Sequence, residues 1–466
     1  MWSDKSALVR SGIVSAGLVL SLAACGALMP GQNPGGGAGP AQPQAGDGPG
    51  VTEDSVKVVF VGTDLTAVEA ITGFKTEPPG DLAEQVEALE TWVNANGGMG
   101  GRKLDAVYKL YDGINDSVAA EEQLCNQITQ DEKAFAAVIT GQFQTNARPC
   151  YAKRKTVVMD ATLLASDQEY YEELAPFLWS PSYPELGAHT RAQLQVLDEE
   201  GFFAAGAGGL GVVAADSPVN KRVYENTVVP MLEEKGVDFK VSWIDTTDMG
   251  TLNTTLGEAA GSFRDRGLKN VVFLGGARMA SMFSTAAGAI KYEARYAMTS
   301  YDNPTYFTNN GDELSSPSMR NTMVGVGTTP AQEVTQPDSH PFPSAEEEKC
   351  IGIYKEAGIT WKTREGARVA LPYCDAIMML KLGADNVAEG DDFNAWTWSD
   401  ALKANASEYR TAAGFGNGLV DKDGNWKGYG GSGGFKVMRF AADSQNAEGK
   451  MGEFLYEGEE RSFDDQ

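Results

Sequence analysis

The stretch Gly141-Gln142-Phe143-Gln144-Thr145-Asn146 follows an apolar run that ends at Thr140. It reads as the loop between a strand and a helix. Backbone N–H groups at the start of a helix attract an anion, and the Thr145 hydroxyl adds a donor. Thr145 or Asn146 would equally serve as a plain helix cap. Asp160-Ala161-Thr162 occupies the same position after the next apolar run, as a ligand loop or as a simple turn. Asp302 sits in Ser300-Tyr301-Asp302-Asn303-Pro304. A buried carboxylate there would pair with a cation, although Asp-Asn-Pro is also strong turn chemistry.

Patterns for bond-making chemistry are weak. Gly206-Ala207-Gly208-Gly209-Leu210-Gly211 fits G-x-G-x-x-G. The dinucleotide motif must follow a strand and open a helix, whereas here a strand-like run follows the glycines. Asp421-Lys422-Asp423-Gly424-Asn425 has calcium-like acids, but its glycine comes too early and no glutamate closes the loop. His189 and His340 are the only histidines and lie far apart, so no metal site is expected. The chain reads as a binder, without enzymatic activity or a cofactor.

Alternating strands and helices must position these loops. Val56 to Gly62 is a β-branched run that reads as a buried parallel strand. In Asp81 to Gly97, Leu82, Val86, Leu89 and Val93 fall on one helical face. Strand readings follow at Leu104–Tyr111, Ala134–Thr140, Thr156–Met159, Gly211–Ala215, Phe239–Ile244, Asn270–Leu274 and Tyr296–Tyr301. Helix readings fall at Ser117–Thr129, Glu185–Glu200, Lys221–Lys235, Thr251–Arg266, Met279–Ile290 and Leu371–Val387. This alternation means an α/β fold with parallel sheets. The tail from about Lys436 is strand-like. The Pro-containing stretches Phe177–Pro184 and Thr328–Ser344 are breakpoints where the chain would pass between lobes.

Lys5 and Arg10, a short apolar run from Ser11 to Leu22, and small residues before Cys25 read as an export signal. The run is too short to span a bilayer, which needs about 20 apolar residues. Leu22-Ala23-Ala24-Cys25 resembles a bacterial lipobox, so Cys25 is expected to carry the lipid and become the new N-terminus. Residues 26–50, almost all Gly, Ala, Pro and Gln, form a linker. The net charge of −26 becomes −27 once the signal is removed. Such a chain repels nucleic acid and anionic head groups. The remaining Cys125, Cys150, Cys350 and Cys374 allow three disulfide pairings. The sequence-local one, Cys125–Cys150 with Cys350–Cys374, is expected because each pair falls in one βα neighbourhood.

Ala88-Leu89-Glu90-Thr91-Trp92-Val93-Asn94-Ala95-Asn96-Gly97-Gly98-Met99-Gly100-Gly101-Arg102-Lys103-Leu104 resembles the first helix and turn of type I periplasmic binding proteins. It is most similar to the branch that binds leucine, isoleucine, valine and related small solutes. VKVVFVG, AVITGQFQT, VVMDAT, FLWSPSYPE, GVVAADSPVN, VVFLGG, MTSYDNP and LPYCDAIMML follow in the family's order, so the likeness spans Val56 to Leu402.

The resemblance implies two Rossmann-like lobes with parallel sheets joined by three crossovers, closing on a ligand by hinge motion. Lobe 1 would hold 51–181 and 329–410, and lobe 2 would hold 182–328 and 411–466. Gln144 and Thr145 would meet a ligand carboxylate. Ala161 and Thr162 would offer a carbonyl and a hydroxyl, Asp302 would face an ammonium, and Tyr183 would wall the cleft. Asn220 stands where the family has an aromatic residue, and Arg278 follows Ala277 where another is expected. Those departures put branched-chain amino acids in doubt, and Arg278 would favour a carboxylate-bearing ligand.

The expected protein is a monomeric, lipid-anchored solute receptor of an ABC importer. It would work with a membrane permease at the extracytoplasmic face of a bacterial membrane, and its ligand would be amino-acid-like. A ligand sensor, or an envelope protein without a ligand, would share most of these features.

Overall fold

The computed structural model describes residues 45–64, 77–247, 249–276, 279–309, 322–333, 344–445, 449 and 451–465. Cys25, the expected signal, most of the linker, Arg278 and His340 lie outside that set. Among the described residues no helix is long and apolar enough to cross a membrane.

Two sheets organise residues 45–465. The first contains β1 (Ser55–Thr63), β2 (Lys103–Tyr111), β3 (Ala136–Ile139), β4 (Val157–Asp160) and β5 (Leu178–Trp179). Their spatial order is β2-β1-β3-β4-β5, and all the pairings are parallel. The second contains β6 (Leu210–Ala215), β7 (Phe239–Ile244), β8 (Asn270–Leu274), β9 (Arg295–Thr299) and β10 (Val324–Gly327), then β11 (Gly434–Gln445) and β12 (Met451–Ser462). Its order is β12-β11-β10-β9-β8-β6-β7. From β6 to β10 the winding repeats that of the first sheet. The hairpin β11–β12 then adds two antiparallel strands at the β10 edge.

Most strands form where apolar runs were read, because the central ones are covered on both faces; β10 was not read from the sequence. Val56, Val58 and Val59 are fully buried, as are Ala136, Ala137 and Val138. One core surrounds the first sheet, and two clusters cover the faces of the second. The expected α/β architecture in two lobes is observed. Within 411–466, Leu419, Val420 and Tyr429 pack into the first core, and the chain enters the second sheet only at Gly434.

The helix expected over Lys221–Lys235 is divided. It runs as Pro218–Val223, a wider π turn at Tyr224–Val228, and Val229–Glu234. Pro230 has no N–H to donate, so the hydrogen-bond ladder is interrupted there and the preceding turn widens. The chain is already pinned upstream of β1. Gly46 N donates to Asp392 Oδ2 at 2.6 Å, and Gly48 N donates to Phe393 O at 2.8 Å. The disulfides join Cys125 to Cys150 and Cys350 to Cys374, with Cα–Cα distances of 6.4 and 6.0 Å. That is the sequence-local pairing.

Candidate functional site

In open α/β sheets, ligands bind beyond the carboxyl ends of the strands, where neighbouring connections leave in opposite directions. Each sheet has one such point, between β1 and β3 in the first and between β6 and β8 in the second. In the first, Thr63 Oγ1 donates to Thr140 O at 2.9 Å, and Thr140 Oγ1 donates to Val61 O at 2.8 Å. The strand ends are thereby cross-tied. Gly141 has φ +75°, and a Cβ there would lie 2.7 Å from Thr63 Oγ1, so glycine is required where the loop leaves β3. In the second, Gly275 has φ +76°, and a Cβ would fall 2.3 Å from Asn220 Nδ2. The helix after β6 and the loop after β8 therefore touch.

The Gly141–Ala147 loop is held from beneath by Arg148, which is fully buried. Arg148 Nη1 donates to Gln144 O at 2.5 Å, Nε donates to Asp160 Oδ2 at 3.0 Å, and Glu121 Oε2 lies 3.5 Å from Nη1. Burial opposes the arginine's charge, but Asp160 and Glu121 hold its pKa above the usual value. Burial pushes the Glu121 carboxyl up to about 7 despite the neighbouring cation. Cys125–Cys150 joins the helices that carry Glu121 and Arg148.

The Thr145 hydroxyl has no hydrogen bond among the described residues and remains available at the switch point, while its carbonyl accepts from Arg148 N at 3.3 Å. Gln144 is buried, and its Nε2 reaches Thr246 O, beyond β7 in the other lobe, at 3.5 Å. Gln142, in the same loop, is 1 % exposed with both amide atoms unpartnered. The sequence reading quoted this loop without singling out Gln142, because periodicity does not show which side chain loses its solvent.

The other expected residues are more occupied. Ala161 N continues the ladder to Ile139 O at 2.9 Å. Thr162 Oγ1 donates to Asp160 Oδ1 at 2.7 Å and accepts from Arg148 Nη2 at 3.3 Å. Asn220 Nδ2 donates to Ala215 O at 3.1 Å. Asp302 Oδ2 accepts from both Thr299 N and Thr299 Oγ1 at 2.8 Å, closing a short 3-10 turn over Ser300–Asp302. Burial raises its pKa to about 7. Tyr183 is buried with its ring 5.9 Å from that of Tyr301. Tyr301 in turn donates to Pro184 O at 3.2 Å.

Buried carboxylates brace the passages between lobes. Asp375 accepts from Ser182 Oγ at 2.8 Å, Thr411 Oγ1 at 2.6 Å, Ala412 N at 2.5 Å and Ala413 N at 3.1 Å. Glu333 accepts from Thr328 N at 2.9 Å and Thr329 N at 2.8 Å, and from the hydroxyls of Ser300 and Tyr456. Contacts across the cleft among the described residues include Gln144 to Thr246, Asn309 Nδ2 to Glu365 Oε2 at 3.1 Å, and the two-pronged pair of Arg222 with Asp167, both prongs at 2.7 Å. The sequence reading missed Arg148, Asp375 and Glu333. A lone acid inside the apolar run LPYCDAIMML was the available signal for Asp375.

No family model matches the chain, and no curated protein matches it. Solved structures do. A solute-binding protein of an ABC transporter from R. palustris, solved with 4-hydroxybenzoate, shares 14% identity over 86% of this chain and 97% of its own, with a TM-score of 0.56. A fatty acid ABC transporter substrate-binding protein from Thermomonospora curvata shares 14%, over 90% and 95%, with a TM-score of 0.58. A leucine binding protein from Thermotoga maritima shares 12%, over 88% and 100%, with a TM-score of 0.55. Two sheets wound alike, joined by braced crossovers, give this chain the type I periplasmic binding fold found in ABC transporter substrate-binding proteins.

Proposed function

We propose that the chain is the solute receptor of an ABC importer. It binds a small polar, amino-acid-like molecule between its lobes and catalyses no reaction. The observation that carries this reading is the loop at the β1/β3 switch point, where Gln144 reaches Thr246 beyond β7 and the Thr145 hydroxyl is left open in the same loop as the buried, unpartnered amide of Gln142. A hydroxyl and an amide at the end of β3 suit a carboxylate or carboxamide on the ligand. Asp302 is turned onto its own backbone, so an ammonium group would have to compete with that turn. The lobes we assign are 51–181 with 329–410, and 182–328 with 411–466, with residues near 411–433 forming the third passage.

In this reading the receptor is exported, tethered through a lipid on Cys25 and monomeric. It delivers its ligand to a membrane permease. A linker of about 20 residues reaches roughly 25 Å, enough to let the lobes turn above the bilayer.

A thermal-shift screen of the chain from residue 26, against amino acids, amides, carboxylates, fatty acids and aromatic acids, tests the binding reading. A ligand present at 100 times its Kd adds about 2.7 kcal/mol, which raises Tm by a few degrees. A shift with one class that Thr145→Ala diminishes is expected. A shift with none of them rejects the reading. Mass spectrometry of the membrane fraction tests the lipid on Cys25 separately.

A further inference from the structure

Beside the first passage between lobes lies a cavity of about 410 Å³. Lobe 1 contributes Asp167 and Glu169, lobe 2 contributes Arg191, Arg222 and Asn226, and the third passage contributes Tyr429. None of Thr145, Thr162, Asn220 and Asp302 lines it, so it is separate from the cleft site.

Most charges around it already have partners. Arg222 is held by Asp167, Lys427 pairs with Asp464, and Glu185 accepts from Gly187 N at 2.6 Å and Ala188 N at 2.7 Å. Arg191, Asn226 and Thr227 line the same cavity, and their side chains have no hydrogen bond or ion pair among the described residues. They project from the helix Leu186–Glu199 and from the π turn Tyr224–Val228 packed against it. A guanidinium fork, an amide and a hydroxyl therefore converge with unused donors. Val223, Tyr429 and Phe463 supply an apolar wall. A guanidinium matches the two oxygens of a carboxylate, and the wall suits a hydrocarbon or ring. The volume falls within the range of small-molecule sites.

We propose that this cavity is a second binding site, for a small carboxylic acid with an apolar body, whose carboxylate is held by Arg191 with Asn226 and Thr227. Because both lobes line it, an occupant favours the arrangement in which Asp167 and Arg222 meet, and so acts as an effector of closure.

Benzoate is the probe, with benzamide as its uncharged counterpart and inorganic phosphate as the alternative anion, titrated calorimetrically at constant ionic strength. Saturable binding of benzoate is expected, with no binding of benzamide. Arg191→Gln should weaken benzoate at least tenfold without lowering Tm, since Arg191 is exposed, and Thr145→Ala should leave it unchanged. Benzoate should also slow amide exchange in both Ser166–Tyr170 and Tyr224–Val228. The proposal is overturned by no saturable binding, by preference for phosphate, by equal affinity in Arg191→Gln, or by exchange that slows in neither segment. Loss of benzoate binding in Thr145→Ala but not in Arg191→Gln would place the acid in the cleft and also reject the proposal.

Discussion

Asp375 Oδ2 accepts the Ser182 hydroxyl at 2.8 Å although 193 residues separate them in the chain. The carboxylate belongs to the buried helix Ala370–Asp385, and Ser182 lies on the first passage to lobe 2. The same carboxylate holds Thr411, Ala412 and Ala413 on the third. One side chain in lobe 1 thus fixes where two connecting segments begin. Asp375→Ala strips acceptors from four buried donors, each costly to leave unmade. A loss of roughly 3 kcal/mol is expected by urea unfolding, with Asp375→Asn losing less. An unchanged midpoint would mean the passages do not depend on this carboxylate.

Buried acids give the stability a definite pH trend. Burial raises Asp375 to about 6, and Glu121, Asp302 and Glu347 each to about 7. Unfolded, these groups titrate near 3.8 to 4.5. Between those values the folded chain binds protons that the unfolded chain does not, so stability falls as pH rises. Their contribution is fully present below about pH 4 and is lost as pH passes through 6 to 7. Tm should therefore be higher at pH 5 than at pH 8, by several degrees. Asp302→Asn should flatten the curve, and a Tm that rises over this interval would contradict the assignment.

Arg148 lies between Asp160 and Glu121 with no access to water. Removing one partner of a buried ion pair leaves charge without compensation and costs about 3–5 kcal/mol. Arg148→Met is expected to lose that much at pH 7.5, and less at pH 5.5, where Glu121 takes up its proton. Arg148→Lys keeps the charge but not the fork that also reaches Gln144 O, and should recover only part of the loss. Chemical denaturation at the two pH values distinguishes this from simple loss of packing, which would not change with pH.

Short-range pattern was enough for most strands, because a run such as Val56–Gly62 is buried on both faces whatever surrounds it. It was enough for the disulfides too, since Cys125 and Cys150 sit on consecutive helices around β3. It failed where the deciding partner is distant. Arg148, Asp160 and Glu121 come from three segments, and nothing local shows that their charges meet. Asp302 illustrates the reverse: turn chemistry and ligand chemistry use the same carboxylate, and the structure spends it on Thr299. Pro230 was visible in the sequence, but periodicity carried the expected helix across it.

Thr145 and Thr162 should respond differently to substitution. The Thr145 hydroxyl has no bond to lose among the described residues, whereas that of Thr162 joins Asp160 and Arg148. Thr145→Ala should leave Tm unchanged and weaken the cleft ligand about tenfold, the worth of one hydrogen bond near 1.4 kcal/mol. Thr162→Ala should lower Tm as well. Calorimetric titration beside thermal unfolding separates the two. Equal effects on Tm would remove the distinction between an open hydroxyl and a structural one.

The pair Asp167–Arg222 crosses between lobes with the arginine side chain 25 % exposed and the carboxylate 9 %. At that exposure it contributes under about 1 kcal/mol to stability, but all of that contribution depends on the lobes being together. Asp167 also caps the helix Gln168–Leu174 through Tyr170 N at 3.0 Å, so Asp167→Asn keeps the cap while removing the charge. Asp167→Asn and Arg222→Gln should each weaken the cleft ligand a few-fold through faster release, with little change in Tm. The double variant should be no weaker than either alone, because the pair is a single contact. At about 1 M salt, where screening acts within roughly 3 Å, the variants should approach the unmodified chain. Release rates that stay unaltered at low salt would show that this pair does not hold the lobes closed.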